Sequence, residues 1–418
     1  MLQKEETGVE LHDSTGPRKP LMTHRERMLA TVQGKPTDHL PCVPRLDLWY
    51  NARKKTGTLP DKYRDATLKQ IIEDLDIGFH TAIPDFQLYD DPMDAVDRAL
   101  GIWGSKSIPW RAELRNVKRN VSYTEDTRVV EYVTPYGSVT TAVIYNELMR
   151  KSGITITHVA EHAIKTAADY EAVGYIFQNI EVLPRYDYLA EFKEYVGDLG
   201  VICGRALPGA SPMHEIFHEL IDYETFFYEW HDRPEELKRL AEQMMPYYTK
   251  VLDAAIQSPG DVVFLGSNYD VQLTWPGFVA EWVTPFLARA ADKVHAAGKY
   301  LLSHTDGENK KLLPLFLKGR IDIADSICPS PMTSHTLREI REAFGGRITI
   351  WGGVPSVSVL ESSMSDYNFD KFLDDLFHQM GKGDHLIVSI ADTAPPDMEF
   401  SRLERIIKMC KEFGPVTP

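Results

Sequence analysis

Two side chains that could share one metal ion or one substrate group lie two positions apart, at His304 and Asp306. They follow an apolar run at 299–303 and precede Gly307, a pattern that predicts a β-strand ending where the polar residues begin. Side chains at positions i and i+2 of an extended chain point to the same side. We therefore expect His304 and Asp306 to reach one metal ion or one substrate group together.

Other polar and aromatic residues follow short apolar runs elsewhere in the chain. A histidine and several carboxylates at one site would resemble a catalytic Zn2+ site with an open coordination position. Each residue also has a simpler interpretation: an Asp can cap a helix, a Cys can pack as a hydrophobe, and a Trp can fill the core. The candidates at predicted strand ends are Asp47, Trp49, Arg205, Asn268, Tyr269, Asp270, Cys328, Trp351 and Asp392.

Residues 214–218 read His-Glu-Ile-Phe-His, which matches the HExxH pattern of zincin metalloproteases. A helix beginning at Ser211 and Pro212 would place His214 and His218 on one face. However, no third ligand is evident downstream, and a zincin would not explain the repeated strand and helix units. The alternative is that His214 or His218 lines the site and contacts the substrate.

Composition limits the classes of function. The chain has 418 residues, of which 43% are hydrophobic and 26% charged, as in an ordinary globular protein with a large core. A net charge of −15 argues against nucleic acid or an anionic membrane as the main partner. The four cysteines are widely spaced and predict no disulfide framework, which favours a cytoplasmic location. We also expect no signal peptide and no transmembrane helix, because no apolar run is long enough.

The chain divides into a short tail and one long domain. Residues 1–20 have mixed charges, several Gly and Pro residues and no periodicity, so they predict a disordered N-terminal tail. Residues 21–418 are expected to form one domain. Within it, β-branched runs separated by turn residues at 90–150 predict an inserted group of antiparallel β-hairpins.

The rest of the domain alternates strand and helix patterns. Such alternation predicts parallel strands joined by right-handed crossovers, and eight strands predict a closed (β/α)8 TIM barrel with its site at the C-terminal strand ends. The predicted strands are 40–49, 78–83, 200–203, 262–266, 299–303, 322–327, 347–351 and 385–390. The predicted helices are 213–229, 234–257, 277–297, 307–318, 334–344, 368–380 and 399–413.

Several stretches together resemble the uroporphyrinogen decarboxylase superfamily and, within it, the cobamide-dependent methyltransferases. Their order and spacing, rather than any single motif, carry the resemblance, which covers roughly residues 21–415. The stretches are THRERMLA at 23–30, GKPTDHLP at 34–41, EYVTPYGS at 131–138, YETFFYEWHDRPE at 223–235, SHTDG at 303–307, GGVP at 352–355 and DTAPPD at 392–397.

The chain departs from two branches of that superfamily. The decarboxylases carry an arginine-rich loop after the first strand that grips porphyrin carboxylates, and residues 44–54 lack that pattern. Porphyrin decarboxylation is therefore not expected. The zinc methyltransferases that activate thiols use a His-x-Cys pair and a further Cys near the last strand. Here His304 is kept, whereas Asp306 and Asp392 stand in the cysteine positions.

The resemblance implies a methyltransferase that moves a methyl group from a methoxylated, aromatic donor to Co(I) of a separate corrinoid protein. It implies that His304, Asp306 and Asp392 bind zinc, with Glu281 or Cys328 as reserve ligands, and that His304 and Asp306 are catalytic. A site of two carboxylates and one imidazole suits polarisation of an ether oxygen better than activation of a thiolate. The implied substrate-binding residues are Asp47, Trp49, Arg205, His214, His218, Asn268, Tyr269, Asp270 and Trp351.

Three alternatives remain open at this point. The chain could transfer methyl from a corrinoid protein to a thiol, or act as a metal-free decarboxylase in which Asp and His serve as general acid and base. It could also be a non-catalytic barrel that binds a tetrapyrrole or a corrinoid protein. The identity of the donor, the third metal ligand and the oligomeric state, a homodimer included, are not determined by the sequence.

Overall fold

The computed structural model describes residues 21–82, 95–154, 156–266 and 268–418. The predicted tail 1–20, the first residues of the predicted hairpin insertion (90–94) and the last residue of the predicted second strand (83) lie outside the described residues.

The described residues form an α/β fold with one parallel and two antiparallel sheets. The strands are β1 (Trp110–Leu114), β2 (Lys118–Tyr123), β3 (Thr127–Thr134), β4 (Gly137–Ile144), β5 (His158–Glu161), β6 (Ile180–Pro184), β7 (Cys203–Arg205), β8 (Val262–Phe264), β9 (Tyr300–His304), β10 (Ile323–Asp325), β11 (Thr349–Pro355) and β12 (Leu386–Ala391).

The α-helices are α1 (His24–Val32), α2 (Asp47–Thr56), α3 (Leu68–Leu75), α4 (Glu147–Lys151), α5 (Asp169–Gln178), α6 (Asp187–Val196), α7 (Pro212–Glu215), α8 (Tyr223–Asp232), α9 (Pro234–Gln257), α10 (Pro276–Phe278), α11 (Thr284–Ala296), α12 (Leu313–Gly319), α13 (Leu337–Phe344), α14 (Asp366–Gln379) and α15 (Phe400–Glu412). Two π-helical segments, Ile216–Leu220 and Val279–Val283, follow α7 and α10. Within the described residues, none of the helices combines the length and the apolar composition needed to cross a lipid bilayer.

The parallel sheet has six strands in the order β12-β11-β10-β9-β8-β7. Strands β10, β11 and β12 are buried along their whole length, as expected for parallel strands that are covered on both faces. The register places Asp325 of β10 beside His304 of β9 on one side and Trp351 of β11 on the other. The last six predicted strands therefore exist, with bounds that shift by a few residues.

The first two predicted strands are short extended segments rather than strands. Residues 41–43 hydrogen bond to β12, with Val43 N–H donating to Val388 O at 2.8 Å, and Gly78 N–H donates to Cys42 O at 2.9 Å. Phe79 N–H then donates to Leu199 O at 2.8 Å, and Leu199 lies four residues before the other edge strand, β7.

The prediction that the first strand extends to residue 49 is wrong, because α2 begins at Asp47. An acidic residue in the first turn and basic residues in the last turn suit the helix dipole, and Gly57 closes the helix in a left-handed conformation with φ 68°.

The predicted hairpin insertion is present as the antiparallel sheet β2-β3-β4-β5. Its pairing runs further along the chain than predicted, because β5 lies beyond residue 150 and β1 pairs with β6. The predicted helix 213–229 is interrupted: a π-helical segment ends at Leu220, and the side chain of Asp222 caps a new helix by accepting a hydrogen bond from Thr225 N–H.

One hydrophobic cluster contains residues from the strands of the parallel sheet and from the extended segments. It is distinct from the larger cluster that surrounds it, and α1 contributes Met28 to it. Its members are Met28, Val43, Ala82, Val201, Cys203, Val262, Phe264, Leu302, Ile323, Trp351 and Ile387.

Candidate functional site

Three potential metal ligands meet at the C-terminal ends of β9 and β12. His304 is the last residue of β9, Asp306 lies two positions further, and Asp392 directly follows β12. One ligand atom from each residue lies within 4.8 Å of the others. The structure therefore brings together His304 and Asp306, as the spacing predicts, with Asp392 from the far end of the chain, which the resemblance implies as the third ligand.

The imidazole of His304 is oriented by carboxylates on both sides. Its Nδ1 lies 2.7 Å from Oδ2 of Asp325, and its Nε2 lies 3.4 Å from Oδ1 of Asp392. Burial disfavours the charged ring, but Asp392 and Asp325 outweigh that effect and raise the pKa of His304. The other oxygen of the Asp325 carboxylate is 3.3 Å from Nε2 of His80. Because Asp325 occupies Nδ1 of His304, Nε2 is the ring nitrogen available to a metal shared with Asp306 and Asp392.

The Asp392 carboxylate also has a cationic neighbour. Arg45 donates a 2.8 Å hydrogen bond from Nη1 to Asp392 and a 3.0 Å bond from Nε to Asp47. Burial opposes ionisation of Asp392, but Arg45 and His304 prevail and lower the pKa of this carboxyl. For Asp306, burial raises the pKa even though His304 acts in the opposite direction. The two carboxyls are therefore inequivalent: Asp392 ionises readily, and Asp306 keeps its proton to a higher pH.

The donor set fits a zinc ion. A hydrogen bond from Nδ1 of His304 to Asp325 leaves Nε2 as the ligand atom, an arrangement typical of metal-bound histidine. One imidazole and two carboxylates are suitable Zn2+ ligands, and three protein ligands leave a coordination position open for substrate, as in catalytic zinc sites. His304, Asp306 and Asp392 would hold the ion.

These residues open into a cavity of about 290 Å³. Its lining combines acidic groups, three arginines and aromatic rings, which is the mixture expected of a site for a small polar ligand. The lining residues are Arg45, Arg98, Trp103, Ile156, Arg205, Pro208, His218, Glu219, Phe264, Asn268, His304, Asp306 and Asp392. The sequence candidates Arg205, His218 and Asn268 are therefore placed in the cavity wall.

Three other substrate-binding candidates lie away from the cavity wall. Asp47 is buried at the start of α2 and holds Arg45. Trp49, in the same helix, stacks on Phe400 with 5.5 Å between ring centroids. Trp351 belongs to the interior cluster, and its Nε1 donates to the Val43 carbonyl at 3.1 Å. Asp47 and Trp49 lie in the core because α2 replaces the end of the predicted strand. Trp351 lies there because its side chain belongs to the interior cluster.

The candidates around residue 268 have structural contacts. Tyr269 is fully buried, with its hydroxyl 2.8 Å from Ser303 Oγ. Asp270 anchors two loops by accepting hydrogen bonds from the backbone N–H groups of Gln272 and Glu308.

The histidines of the HExxH pattern do not form a zincin site. His214 stacks on Tyr269 at 5.3 Å between centroids, and its Nδ1 accepts a 3.0 Å hydrogen bond from Ala210 N–H. Burial lowers the pKa of His214 to about 3. Glu215 instead binds Gly209 N–H and the Tyr248 hydroxyl. The π-helical segment Ile216–Leu220 directs His218 into the cavity wall, while His214 remains in the core.

The two reserve ligands lie outside the group of three ligands. Cys328 is buried with its Sγ 3.5 Å from the Pro329 carbonyl, and burial raises the pKa of its thiol. Glu281 is exposed on the second π-helical segment, where its charge acts on Lys238.

Several important residues were not among the sequence candidates. The clearest is Asp325, the last residue of β10 and one of two aspartates in the predicted strand 322–327; a carboxylate within a buried strand must be paired, and that signal was available in the sequence. Arg98, Trp103 and Glu219 come from the loop before β1 and from the interrupted helix, where periodicity gives no indication of a site. Phe264 reads as an ordinary core residue at the end of β8.

Comparison with known proteins yields a match in structure and none in sequence. No family model matches the chain, and no curated protein matches it. A solved structure described as a methyltransferase from Methanosarcina mazei aligns with 94% of this chain and 99% of its own length, with a TM-score of 0.52 and 12% sequence identity. At that identity, the likeness shows that the two chains share a fold.

Proposed function

We propose that this protein is a methyltransferase of the uroporphyrinogen decarboxylase superfamily that moves a methyl group from a methoxylated aromatic donor to Co(I) of a corrinoid protein. The observation that carries the proposal is the group formed by His304, Asp306 and Asp392, whose ligand atoms lie within 4.8 Å of one another at the wall of a cavity. The structural neighbour with nearly complete coverage, itself described as a methyltransferase, supports the same class of reaction.

The proposed fold is a closed (β/α)8 barrel. Two features support closure. Backbone hydrogen bonds run from β12 through residues 41–43 and 78–79 to Leu199, four residues before β7, and one interior cluster contains side chains from every strand of the parallel sheet and from the extended segments. In such barrels the functional residues lie at the C-terminal strand ends, where His304 and Asp392 are found.

In the proposed mechanism, His304, Asp306 and Asp392 hold Zn2+, which when bound supplies a Lewis acid for the ether oxygen of the donor. Asp325, by accepting a hydrogen bond from Nδ1 of His304, would leave Nε2 as the atom that holds the ion. Arg45 holds the Asp392 side chain in place. Trp103 and Phe264 offer ring surfaces against which an aromatic donor can pack.

The transfer breaks the methyl carbon to oxygen bond and forms a methyl to cobalt bond with the electron pair of Co(I). The departing oxygen, whose negative charge the Lewis acid would stabilise, takes up a proton from water. Because cobalt must approach the methyl carbon in line with the breaking bond, the corrinoid protein is proposed to dock over the cavity.

A metal-free acid and base mechanism is the second candidate, favoured by one observation. His304 lies between the carboxylates of Asp325 and Asp392, which raise its pKa and so favour the protonated ring that a general acid needs. Decarboxylation by general acid catalysis would use this imidazole without a metal.

Zinc content and methyl transfer, measured together, distinguish the two candidates. We expect purified wild-type protein to hold about one zinc per chain, His304→Ala to lose it, and only the zinc-loaded protein to methylate free cob(I)alamin from methoxylated arenes. A wild type that binds no zinc, even when zinc is supplied after purification without chelator, would exclude the metal mechanism. Zinc binding without methyl transfer to cob(I)alamin or to a corrinoid protein would contradict the proposed reaction.

A further inference from the structure

The side chain of His218 is shared by two cavities. It lines the cavity that contains the metal-ligand group and also a second cavity of about 300 Å³. Ile156 lines the first cavity and Thr157, the next residue, lines the second, which places the two cavities on either side of this stretch of chain. The second cavity reaches the protein surface, because its lining residues His158 and Tyr223 are exposed. His218 can therefore contact a ligand on one side and solvent on the other.

The carboxylate of Glu219 orients the imidazole of His218. Nδ1 of the ring lies 3.4 Å from Oε1 of Glu219, whose Oε2 accepts a 2.5 Å hydrogen bond from Nη1 of Arg98. Burial opposes ionisation of Glu219, but Arg98 and His218 prevail and lower the pKa of its carboxyl to about 2. An ionised carboxylate only accepts hydrogen bonds, so Nδ1 of His218 is the donor. This leaves Nε2 as the ring atom that can carry a proton to a ligand in the cavity.

Packed rings connect His218 to the strand end that carries the metal-ligand group. The centroid of its ring is 5.8 Å from that of His214, which in turn stacks on Tyr269 with 5.3 Å between centroids. The Tyr269 hydroxyl is 2.8 Å from Oγ of Ser303, the residue before His304. His218 and His304 also line the same cavity of about 290 Å³, a size at which one small ligand contacts several walls at once. A ligand whose oxygen faces His304 therefore lies between the two imidazoles.

We infer that His218 is a catalytic residue whose Nε2 hands a proton to the departing oxygen of the methyl donor, and that Glu219 is the residue that positions it. This inference rests on the proposed function for the bond that breaks. The electron pair of the broken bond between carbon and oxygen stays on the oxygen, while the pair of Co(I) forms the bond to the methyl carbon. The oxygen takes the proton from Nε2, and the neutral ring regains one from water that reaches the second cavity. Water is thus the final source of the proton and His218 is its carrier.

Methyl donors that differ in their leaving group test the role of His218. A phenolate that carries a nitro group leaves readily without a proton, whereas one that carries a methyl group depends on protonation. The probes are 4-nitroanisole and 4-methylanisole, with free cob(I)alamin as the acceptor. In His218→Gln we expect transfer from 4-methylanisole to slow roughly 100- to 10,000-fold and transfer from 4-nitroanisole to slow less than about tenfold. Equal slowing of both transfers, or no slowing of either, would overturn the inference.

Matched variants separate proton donation from a structural role. His231→Gln replaces an exposed imidazole that also lies beside a carboxylate, that of Asp232, and should transfer methyl from both donors like the wild type. Glu219→Gln should slow 4-methylanisole more than 4-nitroanisole, because the ring loses its orienting carboxylate. Zinc content and calorimetric affinity for 4-nitroanisole should be the same in His218→Gln and in the wild type. Loss of zinc or of donor binding in His218→Gln would show a structural role and contradict the inference.

Binding of a product phenolate tests the same contact without turnover. The visible absorption of 4-nitrophenolate, which the neutral phenol lacks, reports its binding to the zinc-loaded protein. A charge-assisted hydrogen bond from Nε2 should make the wild type bind 4-nitrophenolate roughly 10-fold more tightly than His218→Gln. Equal affinities would contradict the inference.

Binding and turnover together separate failure of this inference from failure of the proposed function. Tighter phenolate binding that depends on His218, without methyl transfer by the wild type from either donor, would support the contact and contradict the proposed reaction. Methyl transfer by the wild type, with the same ratio of rates for the two donors in His218→Gln, would support the reaction and contradict the role of His218.

Discussion

Asp325 accepts a 2.7 Å hydrogen bond from Nδ1 of His304 because the parallel register of β9 and β10 places the two residues side by side. Asp325 is fully buried, and hydrogen bonds from His304 and His80 overcome the effect of burial and hold the pKa of its carboxyl well below the usual range. An ionised carboxylate is therefore built into the sheet directly behind the potential metal ligand.

Replacing that carboxylate should weaken metal binding without removing a ligand. In Asp325→Asn the amide no longer fixes the His304 tautomer, so we expect zinc affinity to fall about 10- to 100-fold. Competition with a fluorescent zinc chelator measures the change. Asp253→Asn, which alters an exposed carboxylate paired with Lys293, is the control and should keep wild-type affinity. Unchanged zinc affinity in Asp325→Asn would show that Asp325 does not position the ligand.

Arg45 is expected to support the fold as well as the site. It is buried between Asp47 and Asp392, and removing its charge takes the guanidinium partner from both carboxylates. We expect Arg45→Gln to lower the free energy of unfolding by about 3 to 5 kcal/mol, measured by urea denaturation. Arg64→Gln, which breaks an exposed pair with Asp61, should change it little. A stability of Arg45→Gln equal to that of the control would contradict this account.

The stability of the protein should depend on the protonation of Glu215. Burial, aided by the charge of Glu219, raises the pKa of Glu215 from 4.5 to about 8, and its Oε1 has no hydrogen-bond partner among the residues that the structure describes. A carboxyl whose pKa is raised in the folded state makes the fold most stable at low pH, and that contribution is lost as pH rises from about 4.5 to 8.

Glu215→Gln keeps the shape of the side chain and removes its titration. The difference in unfolding free energy between this variant and the wild type should therefore grow in favour of the variant over that pH range. Its slope should approach about 1.4 kcal/mol for each pH unit. Urea denaturation at several pH values measures it, and parallel curves for the two proteins would show that Glu215 does not titrate there.

The two aspartates should determine the hardness of the metal site. In the double variant Asp306→Cys and Asp392→Cys, the ligands become one imidazole and two thiolates, which bind soft and borderline metals more tightly. We expect tighter zinc binding, slower methyl transfer from ethers, and thiolate to metal charge-transfer absorption in the near ultraviolet after substitution with Co2+. The variant Cys328→Ser serves as the control and should leave the Co2+ spectrum of the double variant unchanged. Absence of the charge-transfer band would show that positions 306 and 392 do not ligate the metal together.

Local patterns in the sequence were sufficient for much of the architecture. The apolar runs of residues 299–303 and 385–390 predict β9 and β12, because a buried parallel strand needs continuous apolar residues. The spacing of His304 and Asp306 depends only on the geometry of extended chain, so their convergence could also be predicted. The hairpins at 118–144 follow from alternating β-branched residues and turn residues in the same way.

The sequence alone thus determined the alternation of elements, the hairpins and one end of the site, because those depend on neighbouring residues. Only the tertiary structure decided which distant groups face His304. The register of β10 brings Asp325 to its Nδ1, Arg45 reaches Asp392 across the first and last strand segments, and Arg98 meets Arg205 at Trp103. These contacts join residues far apart in the chain, and their geometry is set by sheet register and packing, which no local pattern encodes.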